Sequence, residues 1–158
     1  MTISIERATT ADAEILVSLQ IASFHYDSQL YPQVEIGGPP GYDSVESMLT
    51  KIQEDVCYKI VDDGRIVGGI CLFEKSPDHY HLDVIFIAPA EQNRGIGTLA
   101  IHFIERTHPA SHWSLDTPQW AVRNQHFYEK LGYVRGHAFV VEDGTPLFAY
   151  EKHIASHP

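Results

Sequence analysis

The sequence predicts an α/β protein built on one mixed sheet, with elements in the order β-α-α-β-β-β-α-β-α-β-β. Three observations carry this. Runs of β-branched and aromatic residues bounded by turn signals recur through the middle and at the end of the chain. Apolar residues at helical spacing interrupt those runs at four places. The stretch from Leu82 to Glu105 leads from a strand through a glycine-bearing loop into a helix, which is how a parallel strand pair is connected. The sheet is therefore expected to be antiparallel early and parallel around the helix at 96–106.

In chain order, residues 3–8 read as the first strand. Thr9-Thr10-Ala-Asp-Ala-Glu supplies an N-cap and early acidic residues for a helix carrying Ile15, Leu16, Leu19 and Ala22. Gly37-Gly-Pro-Pro-Gly41 is a loop, since neither side of it alone could form a core. Asp43-x-x-Glu46 resembles a capping box opening a second helix, with Val45, Met48, Leu49 and Ile52 on one face. Strands at 56–61, 66–74 and 80–88 follow, turned by Asp62-Asp-Gly-Arg65 and Lys75-Ser-Pro-Asp78. The third helix carries Ile96, Ala100, Phe103 and Ile104 and ends near Thr107-His108-Pro109. A short strand at 112–116 precedes the fourth helix, which Gly132 stops. Strands at 133–141 and 146–153 close the chain as a hairpin over Glu142-Asp-Gly-Thr145.

A length of 158 residues suits a single domain, 1–158, with a real core. Met1-Thr-Ile-Ser-Ile-Glu lacks the basic region and apolar run of a signal peptide. No apolar stretch approaches the roughly 20 residues needed to span a bilayer, so a cytoplasmic protein without a membrane partner is expected. Eleven basic against twenty-one acidic residues give a net charge of −10. That balance argues against nucleic acid, whose binding needs a basic face. Cys57 and Cys71 fall on neighbouring predicted strands and are expected to be buried thiols rather than a disulfide. Among ten histidines, His79-x-His81 is the close pair of interest. No further ligand follows at zinc spacing, so no metal is expected.

The loop Gln92-Asn93-Arg94-Gly95-Ile96-Gly97 is the most informative stretch. Glycines let backbone come close to a ligand, and a helix N-terminus offers unpaired N–H groups at the positive end of its dipole. Together these suit a phosphate, here a pyrophosphate. Gly95-x-Gly97-x-x-Ala100, with Asp116 about 20 residues on, meets the loose form of a dinucleotide fingerprint. Three facts count against that owner. The strand ends well before the first glycine, Thr117-Pro118 follows Asp116 in place of another crossover, and only about 60 residues remain.

Gln-x-x-Gly-x-Gly after a strand ending in Ile-Ala-Pro resembles the acyl-CoA signature of the GNAT N-acetyltransferase superfamily. Asn124-Gln-His-Phe-Tyr-Glu-Lys-Leu-Gly-Tyr133 resembles that superfamily's second motif, in the expected order after the first. The resemblance covers residues 55–153 well and implies the GNAT fold. It implies that backbone N–H groups from Gln92, Asn93, Arg94, Gly95, Ile96, Gly97 and Thr98 hold the pyrophosphate of acetyl-CoA. Phe86 and Ile87 would pair with pantetheine, and Asn124 would contact the cofactor. Tyr128, one helical turn beyond Asn124, would face the thioester sulfur. A lysine-like amine of pKa ~10.4 is neutral in only about 4 of 10,000 molecules at pH 7, so a base is useful. Asp83 is the best candidate by resemblance. His81 lies two residues away on the same strand face, and His112 and Glu91 are weaker options.

The expectation is an N-acetyltransferase that moves the acetyl group of acetyl-CoA to a primary amine of a small molecule or peptide. Neither signature block contains a cysteine, so direct attack without an acyl-enzyme is expected. A catalytically silent acyl-CoA-binding regulatory domain and a transferase of longer acyl groups are the alternatives. A homodimer is compatible with the sequence. Phe24, His25, Tyr26, Tyr31 and Tyr42 are candidates to line the acceptor pocket or to pack in the core.

Overall fold

The structure is a computed structural model, and it describes residues 2–155. Its strands are β1 (Ile3–Arg7), β2 (Val56–Asp62), β3 (Arg65–Ser76), β4 (His79–Ile87), β5 (His112–Pro118), β6 (Val134–Val140) and β7 (Pro146–His153). Its helices are α1 (Ala13–Gln29), α2 (Val45–Glu54), α3 (Ile96–Thr107) and α4 (Val122–Lys130). Short 3-10 turns at Thr10–Asp12 and Pro89–Glu91 lead into α1 and into the loop before α3. The strands form one seven-stranded mixed sheet in the order β1-β2-β3-β4-β5-β7-β6. β1, β2 and β3 pair antiparallel, β4 pairs parallel with β5, and β7 runs antiparallel to both β5 and β6. The predicted α/β class and element order are the observed ones.

The chain divides into two compact units. One comprises the first 72 residues with Val84–Thr107; the other comprises Phe73–Asp83 and the chain from His108 onward. β3 and β4 each contribute residues to both.

In the first unit, Leu16 and Val17 of α1 and Met48 of α2 pack with Cys57, Cys71, Val84 and Phe86 of the sheet. Full burial of an aliphatic or aromatic side chain stabilises by roughly 1.5–3 kcal/mol, so this cluster is a main source of the unit's stability. Cys57 and Cys71 face each other in register, buried and free, with Sγ atoms 2.7 Å apart. The α1 face differs from expectation. Ala13, Leu16, Val17 and Gln20 are buried, while Ile15 is half exposed. A helix burying glutamine and serine does not display its inner face as an apolar stripe. The cap of α2 is also displaced: Ser44 rather than Asp43 accepts the Ser47 N–H, at 3.1 Å.

In the second unit, Trp113, Leu115, Tyr133 and Tyr150 form the buried centre, and Tyr80 stacks on Trp113 with centroids 5.3 Å apart. Among the described residues, no helix is long and apolar enough to cross a membrane.

Candidate functional site

In the first unit, the end of β4 and the start of α3 frame the predicted loop. Phe86 is buried and Ile87 partly so. β3 meets this strand end through Gly68 and Gly69. A Cβ on Gly68 would lie 2.4 Å from the Phe86 carbonyl oxygen, and one on Gly69 would lie 2.6 Å from the Phe86 ring. Any side chain there would push the strand end away. The sequence reading overlooked this pair, although adjacent glycines inside a strand pattern signal close backbone approach.

After Ile87 the chain turns through Pro89–Glu91 and reaches Asn93 at φ 64° and Gly95 at φ 80°. A left-handed glycine costs no Cβ clash, and a Cβ on Gly95 would meet nothing within 4 Å, so the loop is open there. α3 then begins at Ile96, which is buried, while Gly97 and Thr98 are partly exposed. By helix geometry, the N–H groups of Ile96, Gly97 and Thr98 have no acceptor within their own helix.

Two side chains brace the loop. Gln92 Nε2 donates to the Ile87 carbonyl at 3.0 Å, tying the loop to the strand it left. Arg94 donates to Asp62 at 3.1 Å and also pairs with Glu91. Its hydrogen bond to Asp62 is the main reason its pKa is raised. The Arg94 guanidinium thus serves Glu91 at the start of the loop and Asp62 at the end of β2. Gln92, Asn93, Arg94, Gly95, Ile96, Gly97 and Thr98 lie together with Phe86 and Ile87, as one continuous strand end, loop and helix start.

Asp83, Asn124 and Tyr128 belong to the second unit. Asn124 and Tyr128 are on α4, Asn124 partly exposed and Tyr128 buried. The Tyr128 ring sits among Phe127, Tyr133 and Tyr150, with centroids 5.2, 6.1 and 6.3 Å away. Its carbonyl accepts the Leu131 and Tyr133 N–H groups, both at 3.0–3.1 Å, as the helix ends. The ring is therefore held on several sides. Tyr150 donates to Glu129 at 2.7 Å and accepts from Arg135 at 3.3 Å.

Asp83 is exposed on β4, and His81 on the same strand is largely enclosed. His81 Nδ1 lies 2.7 Å from Ser114 Oγ, and its Nε2 lies 3.6 Å from Asp116. Burial holds the His81 pKa below the ordinary imidazole value, against the opposing pull of Asp116 and Asp83. The imidazole is consequently neutral at pH 7, with a lone pair able to take a proton. The sequence placed Asp116 in a discarded nucleotide pattern; parallel pairing of β4 with β5 is what brings it to His81.

The expected acceptor-side aromatics lie in the first unit. Phe24 packs edge-on against Tyr42 at 6.1 Å, and His25 Nε2 lies 2.7 Å from the Tyr42 hydroxyl. Gln20, buried on α1, donates to the Tyr42 carbonyl at 2.7 Å. These contacts fasten the loop before α2 to α1.

A family model described as the acetyltransferase (GNAT) family matches residues 22–133. An S-(2-succino)cysteine N-acetyltransferase of Bacillus subtilis is 28% identical over 142 residues, covering 81% of this chain and 82% of that protein. Among solved structures, a PaiA N-acetyltransferase of Thermoplasma acidophilum in complex with coenzyme A superposes with a TM-score of 0.75 at 18% identity. That match covers 98% of this chain and all of the other. A GCN5-related N-acetyltransferase of Rhodopseudomonas palustris gives a TM-score of 0.78 at 19% identity, covering 98% and 97% of the two chains. At such identities the structural matches establish a shared fold.

Proposed function

The chain belongs to the acetyltransferase (GNAT) family, and from that premise we propose that it transfers the acetyl group of acetyl-CoA to a primary amine by direct attack. The observation that carries this reading is the open loop of residues 92–97, turned by left-handed Asn93 and Gly95 into the start of α3. A pyrophosphate needs several converging donors and no Cβ in the way, and such a loop supplies both. Coenzyme A in the Thermoplasma relative, and the N-acetylation named for the Bacillus one, support the donor and the acceptor group respectively.

In this reading the N–H groups from Gln92 to Thr98 hold the pyrophosphate. Gln92 and Arg94 act mainly as braces through their side chains. The backbone of Phe86 and Ile87 pairs with pantetheine, and Asn124 contacts the cofactor. The amine attacks the thioester carbonyl, forming the C–N bond, and the C–S bond breaks as the tetrahedral intermediate collapses. Tyr128 then donates its proton to the departing thiolate, which leaves as the thiol of coenzyme A.

Asp83 accepts the proton that the amine must lose. A second reading gives that task to His81, favoured by the burial that keeps its imidazole neutral at pH 7. The experiment that tests the function is acetyl-CoA turnover with a panel of small amines, polyamines, aminoglycosides, amino acids and peptide N-termini, reading released thiol. Thiol release that depends on an amine and yields its N-acetyl product supports the proposal. Binding of acetyl-CoA without turnover on any acceptor would make the protein a silent acyl-CoA-binding domain. Turnover with longer acyl-CoA alone would change the donor.

A further inference from the structure

The sheet face of the second unit carries a row of histidines to which the proposed acyl transfer gives no role. β4 and β5 pair His79 with His112, and β5 and β7 pair His112 with His153. Three imidazoles therefore lie side by side on adjacent strands. The His79 and His112 rings stack with centroids 3.7 Å apart at 17°, and those of His112 and His153 stack at 4.5 Å and 16°. Glu151 sits two residues before His153 on the same strand face. Its Oε1 lies 3.1 Å from His112 Nε2. One ligand atom from each of His112, Glu151 and His153 lies within 4.8 Å of the other two.

We propose that His112, Glu151 and His153 bind a divalent first-row metal ion, with zinc as the expected species. Two imidazoles and a carboxylate form a three-ligand zinc set, with water completing the tetrahedron. Magnesium and calcium prefer all-oxygen surroundings and are disfavoured by two nitrogens. With bonds of ~2.0–2.2 Å, neighbouring donor atoms around tetrahedral zinc are about 3.3–3.5 Å apart. The His112–Glu151 separation already has that scale. His153 is exposed at the end of β7 and reaches the remaining distance by side-chain rotation.

An exposed His–Glu pair is ordinary on a protein surface; here a second imidazole joins it from a directly opposed strand position. β5 and β7 stay in register from His112↔His153 to Pro118↔Leu147, which fixes the two imidazoles on directly opposed positions. His79 covers the other side of the His112 ring, with its Nε2 2.7 Å from Ser114 Oγ. Such outer contacts orient a ligand ring before the ion arrives. Zinc would take the Nε2 lone pair of the neutral His112 imidazole, whose single proton then sits on Nδ1, and the Glu151 carboxylate oxygen that now faces Nε2. The sequence concealed the site because His112 and Glu151 are 39 residues apart.

The test is calorimetric titration of zinc chloride into the chelator-treated full chain at pH 7.5. It is repeated on His153→Asn, Glu151→Gln and, as a control, His137→Asn on β6. Circular dichroism and thermal melting establish that each variant is folded. The expected result is one strong equivalent, weakened at least tenfold in His153→Asn and Glu151→Gln and unchanged in His137→Asn. Amide hydrogen exchange at the end of β7 should slow when zinc is added. Absence of a strong equivalent, or affinity that the two site variants leave within twofold of wild type, overturns the site. The outcome is independent of whether acetyl transfer is detected, because neither zinc affinity nor exchange reports on turnover.

Discussion

In the proposed mechanism, single atoms matter most at Tyr128 and at Asp83 and His81 on β4. A phenol of pKa ~10 is protonated at pH 7, and full transfer to a thiolate of pKa ~8.5 is uphill by only ~2 kcal/mol. The proposed hydrogen bond would form chiefly as sulfur gains charge, so its loss should fall on the transition state. Tyr128→Phe should lower kcat roughly 10²-fold, with acyl-CoA affinity within a few-fold of wild type. The ring keeps its contacts with Phe127, Tyr133 and Tyr150, so the fold should survive. Steady-state kinetics with calorimetry checks this; turnover near wild type would make Tyr128 a packing residue. For the base, Asp83→Asn should depress kcat/KM most at low pH, with partial recovery as more amine becomes neutral. If His81 is the base, Asp83→Asn lowers the profile evenly and His81→Asn abolishes its acidic limb. That limb would lie below the ordinary imidazole pKa, because burial depresses the His81 value.

Among the elements, the start of α1 shows how local chemistry sets stability. Asp12 accepts the Thr9 N–H at 2.8 Å and pairs with Lys59 at 3.2 Å. Burial pushes its carboxyl pKa up, but the Thr9 N–H and Lys59 outweigh this, and the net value lies below the usual aspartate range. A depressed folded pKa means that the contribution is present above the unfolded value of ~3.9. It is lost as pH falls from there through the folded value. Asp12→Asn should cost about 1 kcal/mol at pH 7. Thermal melting should register a drop of roughly 2–4 °C that closes at acid pH. A gap that persists unchanged below the folded carboxyl's titration would contradict the assignment.

Elements with their own punctuation were legible in the sequence. Asp62–Arg65 turns through Asp63 and Gly64 at positive φ, and Gly132 at φ 96° ends α4 where the glycine stop was expected. The end of α1 was not legible. Ser28, inside the helix, bonds the Phe24 carbonyl at 2.8 Å, a local compensation that composition does not reveal. The turn at Gln92–Gly97 could be read because its punctuation, Pro89 ahead of it and Gly95 within it, stands in one contiguous stretch. The His81–Ser114–Asp116 cluster and the histidine row could not, since strand pairing assembles them from distant segments.

For the whole molecule, two of the boundaries between the compact units fall inside β3 and β4, and the third follows α3. Strands carry no linker composition, so nothing in the residue types marks the two boundaries inside them. The net charge of −10 would make the proposed phosphate loop a local exception in an acidic chain. In the proposed reading, attraction for coenzyme A would come from oriented N–H groups and the α3 dipole rather than from bulk charge. Arg94 reinforces the point, because Asp62 and Glu91 already occupy its guanidinium. Gly97→Glu places a side chain and a like charge where the pyrophosphate is proposed to sit, on a partly exposed residue whose change the fold should tolerate. The decisive measurement is calorimetric titration of coenzyme A into the wild type and Gly97→Glu, each verified as folded by circular dichroism. The account predicts affinity at least tenfold weaker in the variant; equal affinity in a folded variant would contradict the loop's assignment as the acyl-CoA site.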